Sequence, residues 1–200
     1  IRTTLQTDTY LEIFLLTYLY DIDGSGFVEL ADLELCASNL AKLRNWKPDS
    51  SEFIELKAKY SAIWTNFWQP ADISGDGKVS LEEYLKMADN SISNFSNSAL
   101  LQEAHKNKAN VIFDILDASN DGQISLIEYQ EFCVAVGLTQ KDAETAFAHL
   151  DTNADGHISR DEYLQASKEF HISDDLNAAG NWFYGSYEQY CSQITRVQRL

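Results

Sequence analysis

Apolar residues recur at helical spacing along this 200-residue chain in four matched pairs, each pair parted by a twelve-residue polar stretch built around a glycine. The stretches are preceded by Ile13, Leu16, Thr17, Tyr20; by Trp64, Phe67, Trp68, Ala71; by Ala109, Ile112, Phe113, Leu116; and by Ala143, Ala146, Phe147, Leu150. They are followed by Leu33, Cys36, Ala37; Tyr84, Met87, Ala88; Tyr129, Phe132, Cys133; and Tyr163, Ala166, Ser167. Residues three and four apart share one helix face, so each stretch is predicted to join two amphipathic helices. Thr17 is off-type among the incoming positions. Pro48-Asp49-Ser50-Ser51 reads as a turn and helix start, with Asp49 or Ser50 capping a helix that runs through Trp64 and Trp68. The polar, serine-rich run Asp89–Ser98 marks a boundary between lobes. The expected division is residues 1–95, residues 96–171, and a tail of residues 172–200 that packs back on the lobes.

The polar stretches read DIDGSGFVELAD from Asp21, DISGDGKVSLEE from Asp72, DASNDGQISLIE from Asp117 and DTNADGHISRDE from Asp151. Each has Asp at position 1, side-chain oxygens at 3 and 5, Gly at 6, a β-branched residue at 8 and a carboxylate at 12. A hard cation that takes six to eight oxygens needs the chain wrapped closely around it, and alternate positions 1, 3 and 5 point oxygens inward. Position 7 offers its carbonyl, position 9 acts through water, and an acid at 12 closes the shell. The expected ligands are Asp21, Asp23, Ser25, Phe27, Glu29 and Asp32; Asp72, Ser74, Asp76, Lys78 and Glu83; Asp117, Ser119, Asp121, Gln123 and Glu128; and Asp151, Asn153, Asp155, His157 and Glu162. Calcium is the cation this spacing suits. Position 8 (Val28, Val79, Ile124, Ile158) suits a short strand pairing two loops. The first loop ends in Asp32, whose shorter side chain favours a one-oxygen contact, so magnesium is expected there especially.

Composition sharpens this picture. The chain is 44% hydrophobic and 12% aromatic, enough for a real core and against disorder. Its formal net charge is −16, with acids gathered in the four loops; four divalent ions would halve it. No basic patch points to nucleic acid, and no apolar run reaches the ~18 residues of a membrane span. Three cysteines, Cys36, Cys133 and Cys191, are too few and odd in number for a disulfide framework, which favours a reducing cytoplasm. The chain starts at Ile1, so a lipidation signal ahead of it would lie out of view.

The loops resemble those of EF-hand proteins. The widened first pair, the aspartate closing the first loop and the tail GNWFYG are similar to the invertebrate sarcoplasmic calcium-binding proteins, and to calexcitin. The resemblance implies an all-α fold: four EF-hands in two paired lobes, packed compactly, with short β-pairing between loops. It also implies a monomeric cytoplasmic calcium buffer that takes magnesium too, with no known protein target.

Other classes fit less well. A sensor exposes an adaptable, Met-rich groove, whereas this chain has one methionine, Met87; a calexcitin-like signalling role with a protein target stays as one alternative. Coelenterazine-binding photoproteins and luciferin-binding proteins resemble the plan as well, and His171, Trp182, Tyr184 and Tyr190 are the candidates for lining such a cavity. The photoproteins carry a Trp four residues after their C-terminal His, where this chain has Asp175, and they end in Pro, not Leu200. An enzyme is not expected: His105, His149 and His157 have no nucleophile partner, and Gly75–Ser80 lacks the upstream Gly of a phosphate loop.

Overall fold

In the computed structural model the described residues are 19–173, 175, 177–183 and 185; the side chain of Ile92 is not described. They form seven α-helices and four three-residue strands. Two compact units result, the described residues of Ile1–Glu103 with Ala135–Gly137, and those of Ala104–Val134 with Leu138–Leu200. No helix among the described residues is long and apolar enough to cross a membrane.

The first unit holds strand β1 (Phe27–Glu29), helix α1 (Leu30–Leu43), helix α2 (Ser51–Ile63), strand β2 (Lys78–Ser80) and helix α3 (Leu81–Phe95). Ser50 caps α2, its side chain accepting the Phe53 N–H at 3.2 Å. The helix then widens into a π turn at Trp64–Trp68 and tightens into a 3-10 turn at Gln69–Ala71, which carries Pro70. That adjustment swings Trp68 fully inside, stacked on Tyr84 and edge-on to Tyr20 and Phe67. Trp68 and Tyr84 thereby join the helices before and after the second loop. The serine-rich run does not break the helix early: α3 continues through Phe95, which is buried, and Asn94 donates to the Asn90 carbonyl at 2.8 Å. Of the first incoming helix, Ile13, Leu16 and Thr17 lie outside the described residues, and Tyr20 is buried.

In the second unit, α4 is Ala99–Leu116 (its first residues belong to the first unit), β3 is Gln123–Ser125 and α5 is Leu126–Ala135; α6 (Gln140–Leu150), β4 (His157–Ser159) and α7 (Arg160–Ile172) follow. Its core gathers Phe113, Ile124, Tyr129, Phe147, Leu150, Ile158, Tyr163 and Phe170. A 3-10 turn at Ala179–Trp182 brings the chain back over α7. There Gly180 donates its N–H to Glu169 Oε2 at 3.1 Å, and the Tyr129 hydroxyl donates to the Phe183 carbonyl. Phe183 is 3% exposed, set between the rings of Tyr163 and Phe170. Burying such a ring contributes roughly 1.5–3 kcal/mol. Gly180 has no room for a side chain, because a Cβ would meet the backbone of Ala166 and Phe170.

The strands pair antiparallel in two small sheets. Val28 lies opposite Val79 and Ile124 opposite Ile158, all four fully buried. The pairing expected from position 8 is what the backbone forms. Cys36 and Cys133 are buried free thiols, each pushed up to about 12 chiefly by that burial; Cys191 lies outside the described residues.

Candidate metal centres

Each loop is folded by its own acids. The position-1 carboxylates accept the N–H of the position-6 glycines: Asp21 from Gly26, Asp72 from Gly77, Asp117 from Gly122 and Asp151 from Gly156, each at 2.9 Å. Their other oxygens accept the N–H at position 5, from Ser25 at 2.8 Å, Asp76 at 3.2 Å, Asp121 at 3.1 Å and Asp155 at 3.1 Å. Such a turn requires left-handed backbone, and all four position-6 glycines have φ of 84–89°. Position 4 is left-handed as well, and there the chain has Gly24, Gly75, Asn120 and Ala154.

The acid at position 12 spans its loop in the same way each time. One oxygen of Glu83 accepts the Ser80 N–H at 3.0 Å and the Ser80 hydroxyl at 2.7 Å, while the other accepts the Ser74 N–H at 2.9 Å. Glu128 does this with Ser125 and Ser119, and Glu162 with Ser159, Thr152 and Asn153. Ser80, Ser125 and Ser159 also accept the N–H of the Glu three residues on, closing a reciprocal cap on the outgoing helix. These serines are absent from the expected ligands, although S-x-x-E ahead of an apolar run was legible as a helix start. One residue type thus closes the loop and starts the helix.

Asp32 reaches as far as the longer acids do. Its Oδ2 accepts the Glu29 N–H at 2.9 Å, and its Oδ1 accepts those of Ile22 and Asp23 at 3.1 and 3.3 Å. It manages this by sinking into the protein, at 2% exposure. One oxygen from each of Asp21, Asp23 and Asp32 falls within 4.8 Å of the others. Three hard oxygens at that spacing fit a small hard cation.

The electrostatics separate the loops. Burial, opposed by its backbone bonds and reinforced by Asp23 and Asp21, raises Asp32 above its ordinary value. The bonds from Ser80 hold Glu83 down at about 2. Burial alone would raise Glu128 and Glu162, but the bonds from Ser125 and Ser159 outweigh it and both are lowered.

At positions 3 and 5, Asp23, Ser25, Ser74, Asp76, Ser119, Asp121, Asn153 and Asp155 each hold a hydrogen bond within their own loop. Phe27, Lys78, Gln123 and His157 open the four strands, which leaves the carbonyl as the contribution of each. Glu29 turns its side chain to Lys78 across the strand pair at 2.6 Å. The cavity candidates have separate partners: His171 lies against His105 and Phe170, and Trp182 stacks flat on His149 at 3.8 Å. Tyr184 and Tyr190 lie outside the described residues.

Comparison with known proteins agrees with this geometry. A family model described as an EF-hand domain pair matches residues 106–168. The luciferin-binding protein of Renilla reniformis is 30% identical over 172 residues, covering 82% of this chain and 86% of that one. Calerythrin of Saccharopolyspora erythraea is 28% identical over 153 residues (76% and 86%), and sarcoplasmic calcium-binding protein 1 of Astacus leptodactylus 28% over 187 (88% and 94%). Among solved structures, the calcium-loaded apo form of the coelenterazine-binding protein from Renilla muelleri superposes with a TM-score of 0.74 at 26% identity, covering 91% of this chain and 96% of that one.

Proposed function

The chain belongs to the EF-hand proteins and binds calcium, and from that premise we propose that it is a cytoplasmic calcium buffer of the sarcoplasmic calcium-binding type whose first loop also takes magnesium. The observation that carries the buffer reading is the seat of Phe183. A sensor keeps the apolar faces of its outgoing helices for a target. Here α5 and α7 already hold a segment of their own chain, through Tyr129, Tyr163 and Phe170. The proposed ligands are the oxygens at positions 1, 3, 5, 7 and 12 of each loop, with Glu29 at position 9 of the first and Asp32 closing it. Bound calcium would neutralise the clustered acids; the chain supplies the turns that gather them. Its named relatives are binding proteins, and no catalytic role is proposed.

Calorimetric calcium titration with and without millimolar magnesium, paired with a dye for exposed apolar surface, tests this reading. A buffer shows several filled sites, magnesium competition at one of them, and no dye signal on calcium addition. A strong calcium-dependent dye signal would make the chain a sensor with a protein target instead.

The likeness to the luciferin-binding protein supports a second reading, in which the chain also carries a coelenterazine-like ligand near His171 and Trp182. Mixing with coelenterazine decides it: a chromophore that co-elutes with the protein and leaves on calcium addition is the expected sign, and none binding rules the reading out.

A further inference from the structure

We propose that Arg160 is the positioning residue that makes the third and fourth loops fill together, an inference that rests on both loops holding ions. Arg160 is the first residue of α7 and stands at position 10 of the fourth loop. Its guanidinium donates to Asn110 Oδ1 at 3.0 Å and to Asp114 Oδ1 at 2.7 Å, and its Cζ lies 4.0 Å over the ring of the enclosed Phe113. All three partners sit on α4. Asp114 is one turn ahead of Asp117, the first acid of the third loop, and Glu162, the closing acid of the fourth, is two residues past Arg160. A single side chain therefore fastens the run leading into one loop to the run closing the other.

The strand pair β3–β4 already links the loops at their middles; Arg160 links their outer ends. The planar fork suits this position, since it bonds two side chains while stacking on a third; a lysine has donors for the bonds but no flat face to lay on the ring. The other loops have no equivalent: the second has Leu81 at position 10 and the third Leu126. In the first unit the cross-loop pair is Lys78 with Glu29, which joins strand to strand. The Arg160 and Asp114 side chains are 38% and 45% exposed. An ion pair that wet is a weak one, so the coupling it carries between the two loops sits at the low end of the usual range.

Site-resolved NMR of the full ¹⁵N-labelled chain during calcium titration tests this. The amides of Gly122 and Gly156 each donate to the first acid of their own loop and report it, with Gly26 and Gly77 as internal controls. In the unaltered chain the Gly122 and Gly156 midpoints should coincide. R160Q should part them by about fivefold, the low end of typical coupling between sites, and R160K should part them less. D114N should reproduce the split, and R160Q/D114N should be no worse than R160Q alone, because both remove one link. Coincident midpoints in R160Q, or an equal shift of all four glycines, would overturn the proposal. Silence of Gly122 and Gly156 in the unaltered chain would instead remove the ion-holding loops themselves. Should R160Q not fold, R160K and D114N carry the same comparison.

Discussion

His105 Nε2 lies 3.3 Å from His171 Nδ1, the one on α4 and the other at the end of α7. His171 Nδ1 is also 2.8 Å from the Ser167 carbonyl, so it carries the hydrogen and donates; His105 Nε2 is then the acceptor, with the Ser167 hydroxyl 3.4 Å away. Both rings are held neutral. Burial first, then Lys108, drops His171 to about 3 and His105 to about 4, with Lys168 adding to the second. The unfolded chain takes up these protons near pH 6.5 and the folded chain does not. The contribution to stability is therefore complete above pH 6.5 and is lost as pH falls toward 3, at up to about 1.4 kcal/mol per histidine per pH unit. Denaturant unfolding of the calcium-free chain should show lower stability at pH 5 than at pH 7. His105→Gln with His171→Phe should flatten that slope; an unchanged slope would mean the pair is not its source.

Gly180→Ala should detach the returning segment. The new methyl would run into the Ala166 and Phe170 backbone, which cannot turn aside as a side chain could. Losing the Phe183 seat costs roughly 2 kcal/mol, and protease should cut near Phe183 faster than in the unaltered chain. Trp182 emission should change as its stack on His149 opens. Unaltered protection and emission would show that α7 yields instead.

Ala154 occupies a left-handed backbone at φ 58°, a conformation that costs a residue with a Cβ about 1–2 kcal/mol. Asn120 fills the same place in the third loop. Ala154→Asn should therefore stabilise the calcium-free chain by about 0.5–1 kcal/mol, raising its melting midpoint by about 1–4 °C. A lower midpoint would refute this.

Asp32→Glu brings the first loop to the closing acid of the other three. With a longer arm able to offer both oxygens, calcium should gain on magnesium at that loop by about tenfold, ~1.4 kcal/mol. The Gly26 amide in competitive titrations reads the change, and Gly77, Gly122 and Gly156 should stay put. Unchanged selectivity at Gly26 would mean that acid length does not set the ion.

Features set by spacing along the chain were legible in the sequence. The paired isoleucines at 124 and 158, the buried stripes of α4 and α6, and the Ser50 cap follow from periodicity and local hydrogen bonding. What escaped depends on backbone or tertiary detail. Nothing in the letter at 154 announces a left-handed residue. The π turn before the second loop keeps the same apolar letters as an α-helix. The polar run Asp89–Ser98 reads as a boundary between lobes by composition, yet its residues up to the buried Phe95 continue α3. Asp32 looked short for its task, and only the fold shows it drawn inward until it spans the loop. Partners distant in sequence, such as Arg160 with Asp114 or His105 with His171, meet only once the helices pack.

The carboxylates that hold the turns of each loop are the same groups that would grip its ion. An ion must shed water to reach them, which magnesium does reluctantly. In a resting chain with magnesium in the first loop, a calcium pulse would be met in two phases: three loops filling at once, and the fourth share only as magnesium departs. On the proposed magnesium site, the single aspartate among four closing acids would then set the order in which the loops answer calcium.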